Sequence, residues 1–175
     1  MKRYIIFIIF ISLLLSLGLI QANEQYAPYG FAPFCEANIH ILCQNTSLVY
    51  EDNKSLDTIK KINREVNKSI KYVPDETTKI DDWVIPNTHG DCEDFILLKS
   101  KLLYENGYTA NELKIGLLSY KGTFHAVLLV KQDSNWYVLD FDSNEIKKYS
   151  SIYKSGMKWF AYQIEGTLEF NNQPF

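Results

Sequence analysis

Arginine is almost missing from this 175-residue chain. Of its 18 basic residues only Arg3 and Arg64 are arginine. That scarcity excludes a reader of phosphates or base edges built on arginine forks. Positive charge is not in excess either: the formal net charge is −3, which excludes nucleic-acid binding through bulk charge. Three cysteines are too few for a disulfide scaffold and the wrong number for a closed zinc site. Internal repeats and linkers are absent, so the length accommodates one domain. Hydrophobic residues at 46% and charged residues at 22% exclude a disordered or low-complexity chain.

One long apolar run is present. Lys2 and Arg3 precede Ile5 to Ile20, interrupted only by Ser12, Ser16 and Gly18. The run falls short of the ~20 residues that span a bilayer. A basic start followed by a short apolar core reads as a secretory signal over residues 1–22, with cleavage after Ala22; the alternative reading is an uncleaved anchor. The expected organisation is that signal plus one domain over 23–175, with no membrane span once the signal is removed. Export would allow Cys35 and Cys43 to pair and leave Cys92 as an odd thiol.

Residues 23–50, with Pro28, Gly30 and Pro33, read as an irregular arm. Ile59, Ile62, Val66 and Ile70 recur at steps of three and four and predict a helix over Asp57 to Ile70, which Pro74 prevents from continuing. Residues 71–90 read as loop. Phe95, Leu98 and Leu102, widened by Ile96, Leu97 and Leu103, predict a central buried helix from about Asp91 to Asn106, stopped by Gly107. From Leu113 the period shortens. Leu113–Tyr120, Thr123–Lys131, Asn135–Asp142 and Trp159–Ile164 read as strands, joined by turns at Lys121-Gly122 and Gln132–Ser134. Helices followed by antiparallel strands predict an α+β domain with helices packed on one face of the sheet.

Three short stretches carry chemistry: Gly90-Asp91-Cys92-Glu93-Asp94, Phe124-His125-Ala126 and Val138-Leu139-Asp140. Cys92 falls at the first turn of the central helix, where free N–H groups favour a thiolate. Taken alone, Cys92 reads as a buried structural cysteine and His125 as a core residue. Together with Asp140 they read differently. A turn centred near Asp133 sets His125 and Asp140 roughly opposite each other, and directly opposed residues share one face with Cβ atoms ~5 Å apart. The pattern is then nucleophile, base and orienting carboxylate. His89, three residues before Cys92, reads as a rim contact at most, and His40 as structural. Trp83 reads either as a wall of the cleft or as a cap on the core.

These residues, with Asn63, Val66-Asn67, Ile70, Tyr72, Asp82-Trp83, Pro86, Leu98-Lys99 and Leu102, resemble the bacterial transglutaminase-like cysteine proteinases, in particular the LapG-type periplasmic branch. The resemblance covers about residues 60–160. It departs at Phe141, where family members often carry Asn. It implies a papain/transglutaminase-like core with Cys92 as nucleophile, His125 as base then acid, and Asp140 as orienter. It also implies a periplasmic endopeptidase that cuts a large surface adhesin near its N-terminus and so promotes biofilm dispersal. A membrane receptor that senses cyclic diguanylate would be its inhibitor.

Asp91, Glu93 and Asp94 crowd the thiol with negative charge. Part of this suits a helix N-terminus, but adjacent carboxylates raise a thiol's pKa. A calcium ion, which prefers oxygen ligands, would reverse that field. The resemblance assigns Asp91 and Glu93 as its ligands. Two other readings share the same residues. One is a transglutaminase-like acyltransferase that passes the acyl group to an amine. The other is a non-catalytic binding module, disfavoured because all three triad residue types are present.

Overall fold

The computed structural model describes residues 27–44, 52–75, 81–120, 123–152, 158–164 and 166–172. The apolar run, the Ala22 cleavage point and the Lys121-Gly122 turn lie outside the described residues. Among the described residues, no helix is long and apolar enough to cross a membrane.

The predicted helices form as their periodicity dictates. α2 spans Leu56–Ser69, and Ser55 caps it by accepting the Thr58 N–H at 3.0 Å. Its Ile59, Ile62 and Val66 are buried, as steps of three and four require. α3 spans Cys92–Glu105 and ends at Gly107, whose φ of 94° suits glycine. Residues 23–50 are less irregular than expected, because a short α1 covers Phe31–Ala37. Its Phe31 and Phe34 are buried in the core against Trp83 and His40. Tertiary contact of that kind holds a seven-residue helix too short to persist alone. Residues 71–90 likewise carry two short parallel strands, β1 (Lys71–Tyr72) and β2 (His89–Gly90).

The remaining strands are β3 (Leu113–Tyr120), β4 (Thr123–Gln132), β5 (Asn135–Leu139), β6 (Lys147–Lys148), β7 (Lys158–Gln163) and β8 (Phe170–Asn171). They build one antiparallel sheet in the order β6-β5-β4-β3-β7-β8. A 3₁₀ turn at Ala110–Glu112 leads into β3, and a short α4 (Tyr149–Ile152) follows β6. The two faces of β4 alternate. Ala126, Leu128 and Val130 join the core shared with α2 and α3, while Val127 and Leu129 pack with Val138, Ile152 and Tyr162 behind the sheet. The result is the expected α+β core, with α3 central between α2 and β4.

Cys35 and Cys43 form a disulfide with a separation of eight residues, which stabilises by about 2–3 kcal/mol through loop entropy. The loop it closes presents His40 to α3. The His40 Nδ1 accepts the Leu42 N–H at 3.2 Å, so Nε2 carries the proton that it donates to the Leu97 carbonyl at 3.0 Å. Burial pushes His40 down from 6.5 to about 4. The unfolded chain takes up this proton near 6.5 and the folded chain only near 4. Stability present above pH 6.5 is therefore lost as the pH falls towards 4, by ~3 kcal/mol. Urea titrations across that range should show stability rising more steeply with pH in the native protein than in His40→Gln, since the other titrating groups contribute equally to both. Equal slopes in the two proteins would contradict this assignment.

Candidate active site

α3 opens on a tightly built turn. The Asp91 N–H donates to Asp94 Oδ2 at 3.3 Å, one arm of a capping box. Gly90 permits the approach, since a Cβ there would sit 2.4 Å from Asp94 Oδ2. Cys92 is thus the first residue of the helix, beside unsatisfied backbone donors. Its thiol donates to Glu93 Oε2 at 3.1 Å. Burial pushes the thiol's pKa up, Glu93 and Asp91 push it further, and the Ala126 N–H, directed at the sulfur, acts against them.

The other two predicted residues meet. His125 Nε2 and Asp140 Oδ1 are 2.7 Å apart. Their register differs from the expected one. β4 and β5 pair Leu128 with Leu139 and Gln132 with Asn135, because the turn is the two-residue Asp133-Ser134, with Asp133 at φ 54°. Asp140 is therefore two residues out of direct opposition to His125 and sits diagonally on the same face. A two-residue shift preserves the face where a one-residue shift would not. β5 pairs with β4 only from Leu128 onwards, and among the described residues no strand pairs with that side of β4 from Val127 back to Thr123. Ala126 lies on that edge and lines the same cleft as Cys92.

Burial opposes the charge on Asp140. The hydrogen bond and charge of His125, the Asp142 N–H and Lys99 outweigh it, and its carboxyl lies below the ordinary carboxylate range. The main chain beyond β5 is pinned from both helices. The Asp140 carbonyl accepts Asn67 Nδ2 and Lys99 Nζ, each at 2.9 Å. The Ser143 carbonyl accepts Asn63 Nδ2 at 2.8 Å and Asn67 Nδ2 at 2.9 Å. Phe141, the departure from the family pattern, stacks on Tyr72 at 4.4 Å and meets the His125 ring edge-on at 5.2 Å.

Asp91 and Glu93 do converge, and two acids not foreseen join them. Asp75, Asp81, Asp91 and Glu93 bring one carboxylate oxygen each within 4.8 Å of one another. The acidic Asp81-Asp82 pair, six residues after Asp75 in the sequence, was the signal available. Asp94 faces elsewhere, accepting the Val84 N–H at 2.9 Å. Burial raises Asp94 to about 7 and Glu93 to about 10, the latter also through its contacts with Asp91 and Asp81. Asp91 Oδ1 and Glu93 Oε1 are buried with no hydrogen-bond partner. An all-oxygen, acid-rich donor set with two buried orphan atoms fits a hard divalent cation such as calcium.

Cys92, His125, Ala126, Trp83, Phe124 and Tyr72 line one cleft of about 420 Å³. Trp83 serves both of its expected roles. It forms a wall of this cleft and is buried against Phe31. His89 is exposed, paired with Thr88 Oγ1, and takes no part in lining the cleft.

The sequence profile described as bacterial transglutaminase-like cysteine proteinase matches residues 21–167. The chain belongs to this family. Solved structures share the fold of its core. Legionella pneumophila LapG matches at TM-score 0.52 and 25% identity, covering 63% of this chain and 65% of that one. The calcium-bound form of that protein matches at TM-score 0.53 and 24% identity, covering 63% and 66%. The EGTA-treated form matches at 0.51 and 26%, covering 61% of each. The match thus spans less than two thirds of the length of these neighbours. No curated protein matches the chain. A cysteine protease of the transglutaminase-like kind is what this family is described as.

Proposed function

We propose that this protein is an exported cysteine endopeptidase that cuts a large surface adhesin near its N-terminus, using Cys92, His125 and Asp140. The observation that carries the reading is the 2.7 Å contact of His125 Nε2 with Asp140, made by a histidine that lines one cleft with Cys92 at the start of α3. Asp140 holds the proton on Nε2 and leaves Nδ1 free to take the thiol proton. The Cys92 sulfur adds to the scissile carbonyl carbon, and the backbone donors at the start of α3 stabilise the oxyanion. The imidazolium then passes its proton to the leaving amine as the C–N bond breaks. Water, deprotonated by His125, opens the thioester and restores the thiol.

Asp75, Asp81, Asp91 and Glu93 would hold a calcium ion, with Asp91 and Glu93 on either side of the nucleophile. Bound there, the ion supplies positive charge that offsets four carboxylates and favours the thiolate. Cleavage should stop in excess EGTA and return with calcium. Calcium should raise the thermal midpoint of the native protein but leave Asp91→Asn/Glu93→Gln unshifted. Full activity in excess chelator would remove the ion from the mechanism.

The resemblance to LapG-type proteases supports the adhesin as substrate, the periplasm as location after removal of residues 1–22, and a cyclic-diguanylate-sensing membrane receptor as inhibitor. The decisive experiment incubates the protein with calcium, a candidate adhesin and a labelled primary amine. Adhesin fragments without label support the endopeptidase. Label incorporated into uncut adhesin would replace it with acyl transfer. Inertness with calcium still bound would replace it with a binding module.

A further inference from the structure

Lys99 is a charged side chain in the core for which the mechanism above has no use. It is 1% exposed, and lysine is almost never fully buried without a compensating partner. It lies seven residues after Cys92 on α3, two turns and about 10 Å along the same side of the helix. Its stem passes Phe95, with Nζ 5.7 Å from the ring centroid. Nζ then ends on the Asp140 carbonyl at 2.9 Å.

That carbonyl belongs to the first residue after β5, where the sheet ladder no longer holds the chain. The direction of the Asp140 side chain is therefore set by whatever fixes its main chain. Asn67 approaches the same carbonyl from α2, and Lys99 approaches it from the helix that carries the nucleophile. The nucleophile and the orienting carboxylate are thus tied to one rigid element. We propose that Lys99 is a positioning residue, whose Nζ fixes the Asp140 main chain and so aims the carboxylate at His125 Nε2.

The charge state of Lys99 does not decide this. Burial lowers it to about 7, against the pull of Asp140 and Asp142, and the amine donates a hydrogen bond with or without the extra proton. The inference rests on the triad reading above, so its test has one arm that needs no substrate. Lys99→Met keeps the length and apolar stem and removes the donor.

In native protein, long-range proton–nitrogen NMR should show neutral His125 protonated on Nε2. In Lys99→Met that pattern should give way to a mixture of tautomers, in a protein whose thermal melt confirms folding. With active sites counted by thiol titration, kcat should fall about 10- to 100-fold while KM stays within about two-fold. An Nε2-protonated His125 in the folded variant, or an unchanged kcat per site, overturns the proposal. If the methionine variant does not fold, Lys99→Ala combined with added alkylamine takes its place. The alkylamine should restore the native tautomer, and a native tautomer without it overturns the proposal. A native enzyme that cleaves nothing would defeat the protease reading, and the NMR arm would still decide the role of Lys99.

Discussion

Cys92→Ala is expected to lower cleavage by about 10⁴- to 10⁶-fold, to the background of binding alone. No other thiol is within reach of the chemistry, since Cys35 and Cys43 are joined to each other and Cys92 is the one free cysteine among the described residues. The loss should be chemical, not structural. Alanine is the strongest helix former, and the Asp91–Asp94 cap that starts α3 does not involve the sulfur. The variant should therefore keep its circular dichroism, its disulfide and its response to calcium. Cleavage kinetics on the purified variant provide the measurement, and activity within ten-fold of the native enzyme would reject Cys92 as nucleophile.

Asp140→Asn should come next, costing about 10²- to 10⁴-fold in kcat. The carboxylate accepts the proton on His125 Nε2. An amide can turn its NH₂ group to that nitrogen, and the ring must then carry its proton on Nδ1, where it cannot receive one from the thiol. The backbone around residue 140 should not move, because Asn67 and Lys99 bind its carbonyl and not its side chain. Secondary structure and melting should change little. A near-normal rate in a folded variant would mean that another group orients His125. Phe141, which packs edge-on against the imidazole, would be the first to examine.

Much of this site could be read from short stretches of sequence. The helix over Leu56–Ser69 followed from apolar spacing, and the N-terminal place of Cys92 followed from the acids and glycine around it. The shared face of His125 and Asp140 followed from strand alternation, even though the register was shifted by two residues. That expectation survived because side-chain direction in a strand has a period of two, and an even error leaves the face unchanged.

The acid cluster was only half legible. Asp91 and Glu93 flank the cysteine and were visible for that reason, whereas Asp75 and Asp81 arrive from the segment before α3. The main-chain clamp on Asp140 was not legible at all. Asn63 and Asn67 read as polar positions on an amphipathic helix, and Lys99 interrupts an otherwise apolar stripe. Phe141 showed only as a departure from a pattern, yet it packs between Tyr72 and the His125 ring. Likewise α1 lacked a periodic signal long enough to stand out, and its burial against Trp83 supplies what seven residues cannot.

The sequence by itself determined the two long helices and the longer strands, the helix-start cysteine and the facing of histidine and aspartate, because these depend on spacings of two to four residues along one chain. Tertiary structure alone decided which carboxylates gather beside the thiol and what holds Asp140 in place. The acids come from two segments on either side of β2, and the contacts that clamp residues 140 and 143 join positions 41 to 80 apart, where no local periodicity encodes how the segments will meet.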